Sequence, residues 1–254
     1  MKKKMDKIVQ FIREILKKQK FANVVIGASG GIDSTCALYL LAKAMPKEHI
    51  FVVHLPYAHS EFAIIKEILA ALGISSKNLM QISIKPIVDG VIHTRSDLMS
   101  RSDLDKVRLG NVMARVRMMV LYDLAKKLNA IVCGTENKSE YYLGYFTRFG
   151  DAASDFEPIA HLYKTQVYQL AKYLGVPKEF IDKTPTAGLW PGQTDEGEFG
   201  FTYKEADAVL QLYFDKKLNL AEIKKRGFKN AEKIIARVLK NEYKHQTPYL
   251  IKEK

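Results

Sequence analysis

The stretch from Asn23 to Ala44 reads NVVIGASGGIDSTCALYLLAKA, and it decides the fold. The apolar run Val24 to Ile26 is typical of a buried strand, and the run from Thr35 to Ala44 is typical of a helix. Between them stands a glycine-rich turn, GASGGIDS, at Gly27 to Ser34. Backbone N–H groups in such a turn can point into one small volume at the helix N-terminus, where the partial positive charge favours anions. The sequence therefore predicts a site for phosphate or pyrophosphate.

The phosphate turn, residues 27 to 34, differs from the common P-loop. The pattern GxxxxGK[ST] places a lysine before the Ser or Thr, whereas Asp33 stands before Ser34 here. A carboxylate beside a bound phosphate is repelled unless a divalent cation lies between them, which indicates that Asp33 is a Mg²⁺ ligand. The alternative is that Asp33 only caps the helix. The predicted phosphate-binding residues are Gly27, Ala28, Ser29, Gly30, Gly31, Ile32, Asp33 and Ser34.

Apolar strand-like and helix-like segments alternate along the rest of the chain. This alternation predicts an α/β fold in which helices cover both faces of a parallel sheet and ligands bind at the carboxyl ends of the strands. From Tyr203 onward the pattern is helical throughout, which predicts a helical C-terminal extension. The predicted strands are 23–26, 50–54, 80–84 and 130–133, and the predicted helices are 32–44, 60–72, 107–128 and 164–174.

Length and composition predict a single domain over residues 1–254, since 47 % of the 254 residues are hydrophobic. No run of about 18 apolar residues and no signal-peptide pattern is present, so we expect a cytoplasmic protein without a membrane partner. Cys36 and Cys133 are the two cysteines, and both are expected in the core of a protein from a reducing compartment. The net charge of +12 is compatible with nucleic-acid binding or with the steering of anionic substrates.

Two stretches lack a regular pattern. The segment from His93 to Asp105 is polar and contains RSDL twice, which predicts a mobile loop. The segment from Thr184 to Gly200 reads TPTAGLWPGQTDEGEFG and contains the single tryptophan of the chain. A structureless loop of this length in a compact domain is more often a functional lid than an inert connection, so we expect a lid there.

The motif SGGxDS in the phosphate turn resembles the signature of N-type ATP pyrophosphatases. Further segments resemble one family within that group, the NAD synthetases, and together they cover most of residues 20–250. These segments are GNVMARVRM at 110–118, GTENKSE at 134–140, GYFTRFGDAASD at 144–155, Tyr163-Lys164, PTAGLWPGQTDEGEFG at 185–200 and NEYKHQTP at 241–248.

The resemblance implies an adenine nucleotide alpha hydrolase-like, Rossmann-like fold and a homodimeric, ATP-binding ligase. It also implies the final reaction of NAD biosynthesis, in which deamido-NAD (nicotinic acid adenine dinucleotide) becomes NAD. In that reaction ATP adenylylates the substrate carboxylate, ammonia attacks the resulting mixed anhydride, and AMP and pyrophosphate are released. Since a carboxylate resists nucleophilic attack, this activation fits a site built around a pyrophosphate pocket and Mg²⁺.

The resemblance also implies roles for individual residues. Glu140 would join Asp33 as a second Mg²⁺ ligand, and Asp151 would accept a proton from ammonium. The residues implied to contact ATP are Thr135, Lys164 and Thr186, and those implied to contact deamido-NAD are Arg115, Arg148, Asp155, Tyr243 and Lys244. Asp33, Lys164 and Asp151 would form the catalytic set.

The helix predicted over residues 107–128 separates two neighbouring arginines. On a helical wheel, Arg108, Asn111, Arg115 and Tyr122 share one face, whereas Arg117 falls within the apolar arc. Residues two apart cannot face the same site. We therefore assign Arg115 to the substrate and Arg117 to packing or a subunit interface.

The nitrogen source follows from what the chain lacks. A glutamine-dependent enzyme needs an additional domain with its own nucleophile, so free ammonia is expected.

Two other classes of protein are alternatives to an ammonia-dependent NAD synthetase. A tRNA-modifying enzyme of the same superfamily would need an RNA-binding module or paired cysteines, and neither is visible, so no nucleic acid partner is expected. A nucleotide sensor without catalysis would not need Asp33, Glu140 and Lys164 together.

Overall fold

The computed structural model describes residues 1–58, 61–94, 103–190, 192–246 and 251. Four strands form one parallel sheet in the order β3-β2-β1-β4. The predicted parallel sheet is thus confirmed. Its strands are β1 Asn23–Gly27, β2 Ile50–His54, β3 Leu79–Gln81 and β4 Ala130–Cys133.

Helices surround this sheet. Helices α2 and α7 have the bounds that the sequence predicts. The twelve α-helices of the described residues are α1 Lys2–Gln19, α2 Ile32–Ala44, α3 Phe62–Leu72, α4 Lys85–Thr94, α5 Asp103–Lys127, α6 Lys138–Leu143, α7 Lys164–Leu174, α8 Lys178–Asp182, α9 Asp195–Phe199, α10 Tyr203–Leu210, α11 Leu220–Lys224 and α12 Ala231–Asn241.

Side chains of β1 alternate between two separate cores. Val24 and Ile26 pack with α1, α2 and α7 on one face of the sheet, and Val25 packs with α4 and α5 on the other face. Alternate residues of a strand point to opposite faces, so a strand that is apolar throughout is covered on both sides. The prediction of helices on both faces is confirmed.

The C-terminal helices form a third core together with α6 and α9. The predicted helical extension is therefore confirmed, with a π-helical turn at Gln211–Asp215 and a 3₁₀ turn at Glu242–His245 between and after the α-helices. Ile234, Ile235 and Val238 are buried on α12, whereas Leu239 is 56 % exposed.

Several predicted bounds need correction. β3 ends at Gln81 rather than at residue 84, because Ile84 already donates its N–H to Pro56 and leads into α4. The predicted loop from His93 to Asp105 is wrong at both ends, since α4 reaches Thr94 and α5 begins at Asp103, while 95–102 lie outside the described residues. The predicted lid from Thr184 to Gly200 contains the short helix α9.

The cysteines lie where the sequence places them. Cys36 and Cys133 are both free and buried in the same core. Burial raises the pKa of both thiols, and the nearby carboxylates of Asp33 and Glu157, respectively, raise it further. In the described part of the chain, no helix combines the length and the apolarity needed to cross a lipid bilayer.

Candidate active site

The phosphate turn lies at the carboxyl end of the central strand β1 and runs directly into α2. Gly30 has a φ of +74°, a left-handed conformation that side chains other than glycine rarely adopt. Ser34 Oγ contacts Ser29 Oγ at 3.2 Å and donates to the carbonyl of Gly31 at 3.1 Å. Among the described residues, none accepts a hydrogen bond from the N–H groups of Gly30, Ile32 or Asp33. The turn therefore presents unpaired backbone donors at a helix N-terminus, as an anion site requires.

A buried ion cluster borders this turn. Lys164, the first residue of α7, places its Nζ 2.5 Å from Oδ2 of Asp33 and 2.9 Å from Oε1 of Glu140. Its side chain is only 3 % exposed, and those of Asp33 and Glu140 are 17 % and 16 % exposed. The structure thus brings together three of the predicted site residues, from α2, α6 and α7.

Burial and charge act in opposite directions on this cluster. Burial lowers the pKa of Lys164, but attraction to Asp33 and Glu140 outweighs burial, so its pKa is raised and the amine is held as a cation. Burial raises the pKa of Glu140, the Lys164 cation opposes this, and the Asp33 carboxylate adds to the increase. A single cation therefore balances two carboxylates that would otherwise repel each other.

Asn137 completes the cluster, and the sequence reasoning did not find it. Its side-chain amide donates to Asp33 Oδ1 at 2.9 Å, and its own oxygen accepts the N–H groups of Ser139 and Glu140 at the start of α6. The pattern NKSE at 137–140 is a capping box, so a signal for this residue was present. Asn137 holds Asp33 and Glu140 in fixed relation to each other.

The two carboxylates fit the predicted magnesium site. Asp33 and Glu140 already converge on one cation, the ammonium of Lys164. Mg²⁺ usually binds one or two protein carboxylates together with water and substrate phosphates, so two such ligands beside the phosphate turn are sufficient. In the described residues, no group of three or more His, Cys, Asp or Glu side chains is placed to hold a metal ion.

The polar face predicted for α5 contacts the segment at 144–155. Asn111 Oδ1 accepts the hydroxyl of Thr147 at 2.8 Å, and Arg115 donates through two nitrogens to the carbonyl of Arg148 at 3.3 and 3.2 Å. Two turns further along, burial and the adjacent carboxylate of Asp155 raise the pKa of Tyr122. Arg117 instead donates to the carbonyl of Leu55 at 3.0 Å, so it packs α5 onto the end of β2.

Asp155 and Asp151 lie at opposite ends of a short segment. Asp155 is attached to the edge of β4, where its carboxylate accepts the N–H of Val132 at 2.7 Å. Asp151 is exposed and accepts the N–H of Thr147 at 2.8 Å. Arg148 stacks over the ring of Phe149, which is 57 % exposed and has a left-handed φ of 59°.

The remaining predicted residues are more scattered. Lys244 donates to the carbonyls of Gly144 and Phe146 at 2.7 and 2.9 Å, whereas Tyr243 beside it is 52 % exposed. Thr186 is exposed and accepts the N–H of Gly188 at 3.0 Å. Thr135 follows β4 and is partly buried. The structure does not place Thr186 or Tyr243 in the buried ion cluster.

His54 is a second residue that the sequence reasoning missed. It ends β2 beside the phosphate turn, its Nδ1 lies 3.0 Å from the carbonyl of Ala28, and it is 5 % exposed. Its buried Nε2 has no hydrogen-bond partner among the described residues. No local pattern marks this histidine, since its position follows from the order of the strands.

Comparison with known proteins places this site in a family. The profile of the NAD synthase family matches residues 4–248. The chain belongs to the NAD synthase family. It is an ATP-using NAD synthetase, a carbon–nitrogen ligase of the family that catalyses the final step of NAD biosynthesis, and the family expectation from the sequence is confirmed.

Similar proteins share nearly the full length of this synthetase. An NH3-dependent NAD+ synthetase of Fusobacterium nucleatum is 41 % identical over 98 % of this chain and 95 % of its own. The structure of an NMN synthetase from Francisella tularensis has a TM-score of 0.82 and 34 % identity over 98 % of each chain. An NH3-dependent NAD synthetase from Campylobacter jejuni, solved with nitrate, has a TM-score of 0.79 and 32 % identity over 99 % of each chain.

Proposed function

We propose that this NAD synthetase joins free ammonia to the carboxylate of deamido-NAD at the expense of ATP, giving NAD, AMP and pyrophosphate. The single observation that carries this proposal is the cluster of Asp33, Lys164 and Glu140 beside the phosphate turn. A site that releases pyrophosphate must stabilise several negative charges at once. The backbone donors of the turn and the Lys164 ammonium supply positive groups for this, and Asp33 and Glu140 supply ligands for a divalent cation.

In this proposal, the N–H groups of the phosphate turn bind the β- and γ-phosphates. Lys164 stabilises the charge that develops as pyrophosphate leaves, because its flexible four-carbon stem allows the ammonium to reach phosphate oxygens. Thr135 and Thr186 contact the remainder of ATP. The substrate carboxylate attacks the α-phosphorus, and the bond to the leaving pyrophosphate breaks.

Asp33 and Glu140 are the residues that would hold Mg²⁺. The ion would neutralise charge on the phosphates and, as a Lewis acid, would polarise phosphoryl oxygens so that the α-phosphorus is more readily attacked. Asn137 would keep both carboxylates oriented, because it is hydrogen-bonded to Asp33 and caps the helix that carries Glu140. Orientation of metal ligands by a neighbouring amide is a common requirement of such sites.

The second half of the reaction needs neutral ammonia. Ammonium must lose a proton before it attacks the adenylylated carbonyl, and Asp151 is proposed as the acceptor. Its position supports this role, because it lies in the segment that contacts Arg115 on α5 and its Oδ1 is held by the N–H of Thr147. The nitrogen forms its bond to the carbonyl carbon, and AMP leaves.

A cavity between α1, α5 and β4 supports the proposal that the substrate is a dinucleotide. It has a volume of about 420 Å³, and Phe21, Tyr122, Ile131 and Asp155 are among its lining residues. Gln19, Lys126 and Asn129 also line it, so the cavity combines aromatic and apolar walls with several polar groups, as small-molecule sites do. We propose that the cavity receives the AMP half of deamido-NAD, with Arg115, Arg148, Tyr243 and Lys244 contacting the rest.

An assay of the purified chain tests this function. With ATP, Mg²⁺, ammonium and deamido-NAD, we expect NAD, AMP and pyrophosphate in equal amounts. Nicotinic acid mononucleotide lacks the AMP half, so its kcat/KM should be at least about tenfold lower. Glutamine in place of ammonium should give little product.

The outcomes separate the alternatives. Preference for the mononucleotide would contradict the role of the cavity. It would point instead to synthesis of NMN, the product in the name of the Francisella tularensis enzyme. Release of AMP that depends on tRNA, without formation of NAD, would overturn the amidation reaction itself.

A homodimer is also proposed, with α5 at the interface. This helix exposes apolar side chains, since Leu104, Val107 and Met119 are 70 %, 46 % and 50 % exposed. Burial of such side chains against a second copy would remove apolar surface from water. Sedimentation equilibrium should give about twice the chain mass of 28.9 kDa, and a monomer at micromolar concentration would contradict the dimer.

Free buried thiols support a reducing compartment, so the cytoplasm is proposed as the location. Fractionation of cells that produce the protein checks this placement, and recovery with the membrane pellet would contradict it.

A further inference from the structure

Asp207 on α10 lies outside the cluster that handles ATP, yet it is only 1 % exposed. Its Oδ1 accepts the hydroxyl of Ser139 at 2.5 Å, and its Oδ2 accepts the backbone N–H of Thr165 at 2.8 Å. Ser139 Oγ in turn accepts the backbone N–H of Lys164 at 2.8 Å. The first two N–H groups of α7 are thus satisfied by side chains from α6 and α10.

These contacts meet at the two helix starts that carry the ion cluster. Ser139 directly precedes Glu140 on α6, and Lys164 is the first residue of α7. The Asp207 carboxylate therefore links α6, next to Glu140, to the start of α7, which carries Lys164. Both partners of the Lys164–Glu140 ion pair are positioned by helices that this carboxylate contacts. No salt bridge to Asp207 occurs within the described residues, and the N-terminus of α7 supplies the positive end that stabilises a buried anion.

We propose that Asp207 is a positioning residue for the adenylyl-transfer step, since it holds α6 and α7 so that Lys164 and Glu140 keep their relative geometry. The proposal rests on the role of Lys164 given above. It assigns a function to the C-terminal helices that is separate from substrate contact, because α10 carries the carboxylate that fixes the start of α7. Loss of comparable outer contacts at other sites lowers activity about 10- to 100-fold.

Glu205 provides a matched control on the same helix. Its two oxygens accept the N–H of Asn230 at 2.9 Å and the side-chain amide of Asn230 at 2.7 Å, at the start of α12. Asp207 and Glu205 thus both fix a helix start by two hydrogen bonds, but only Asp207 reaches the helices of the ion cluster. A purely structural role predicts the same kinetic behaviour for variants at the two positions.

The test compares Asp207→Asn with Glu205→Gln in the full chain, at a temperature where both are folded. Asparagine keeps the shape but turns one oxygen into a donor, which cannot accept a hydrogen bond from Ser139 or Thr165. For Asp207→Asn we expect kcat to fall about 10- to 100-fold, with KM for deamido-NAD unchanged within about twofold. For Glu205→Gln we expect a lower melting temperature and unchanged kcat.

A parental kcat in folded Asp207→Asn would overturn the proposal, and so would equal losses of kcat in both variants. Should Asp207→Asn fail to fold, Ser139→Ala takes its place, because it removes the hydroxyl that joins Asp207 to Lys164. An unchanged kcat in that variant would also overturn the proposal. If Lys164 itself had no role in adenylyl transfer, Lys164→Met would retain activity. That result is distinguishable from a failure of the Asp207 proposal alone.

Discussion

Asp33→Asn is expected to lower kcat by at least about 10³-fold while the protein remains folded. The substitution removes the negative charge proposed to hold Mg²⁺ at the phosphate turn. It also places an amide N–H₂ against either the Lys164 ammonium or the amide of Asn137, both of which are donors. Steady-state kinetics at saturating ATP measure the loss, and circular dichroism checks the fold.

A surface aspartate, Asp182, provides the control for Asp33→Asn. Asp182 pairs with Lys178 on the exposed side of α8, so Asp182→Asn should leave kcat unchanged. A calorimetric titration of Asp33→Asn with Mg²⁺ and ATP should show weakened metal-dependent binding. Activity within about tenfold of the parent would remove Asp33 from the metal site and leave it the role of a negative charge in the first turn of α2.

Lys164→Met should abolish turnover to a similar extent, for a different reason. Methionine fills similar space but leaves Asp33 and Glu140 facing each other without the cation that lies 2.5 and 2.9 Å from them. Removal of one partner from a buried ion cluster is costly, commonly about 3–5 kcal/mol, so the melting temperature should fall as well. Single-turnover measurements should show slow formation of the adenylylated intermediate, with binding of deamido-NAD retained.

Lys138→Met is the matched control for this variant. Lys138 also pairs with a carboxylate, Asp215 at 2.8 Å, and lies over the ring of Tyr163, just as Lys164 lies over the ring of Tyr203. It does not contact Asp33 or Glu140, so its variant should lose some stability and keep kcat. Lys164→Arg should not restore activity, because a planar fork cannot occupy the position of a compact ammonium. Full activity in Lys164→Met would overturn the proposed role.

Much of the fold follows from the sequence because its signals are local. The apolar runs on either side of the phosphate turn predict β1 and α2. The spacing of apolar residues predicts both ends of α7 correctly. β3 was predicted too long, since an apolar run does not reveal where its partner strand ends. Ile84 stays buried after the strand because it packs with α4 and α5 on the sheet face.

The site was predictable only in part. Asp33, Glu140 and Lys164 were predicted from motifs and come together in the structure, although 131 residues separate Asp33 from Lys164. Asn137 carries the local pattern of a capping box, which does not by itself indicate its contact with Asp33. His54 and Asp207 could not be predicted, because their contacts depend on which strands and helices become neighbours.

The position of β1 has a consequence for how the enzyme moves. Both edges of this strand are paired, with β2 on one side and β4 on the other, and both of its faces are covered. Amide hydrogens in such a strand exchange with solvent only when most of the molecule opens. The phosphate turn, the proposed site of the ATP phosphates, is therefore attached to a strand that opens only together with most of the molecule. Adjustment to successive substrates and products is therefore expected in segments other than β1 and the turn that follows it.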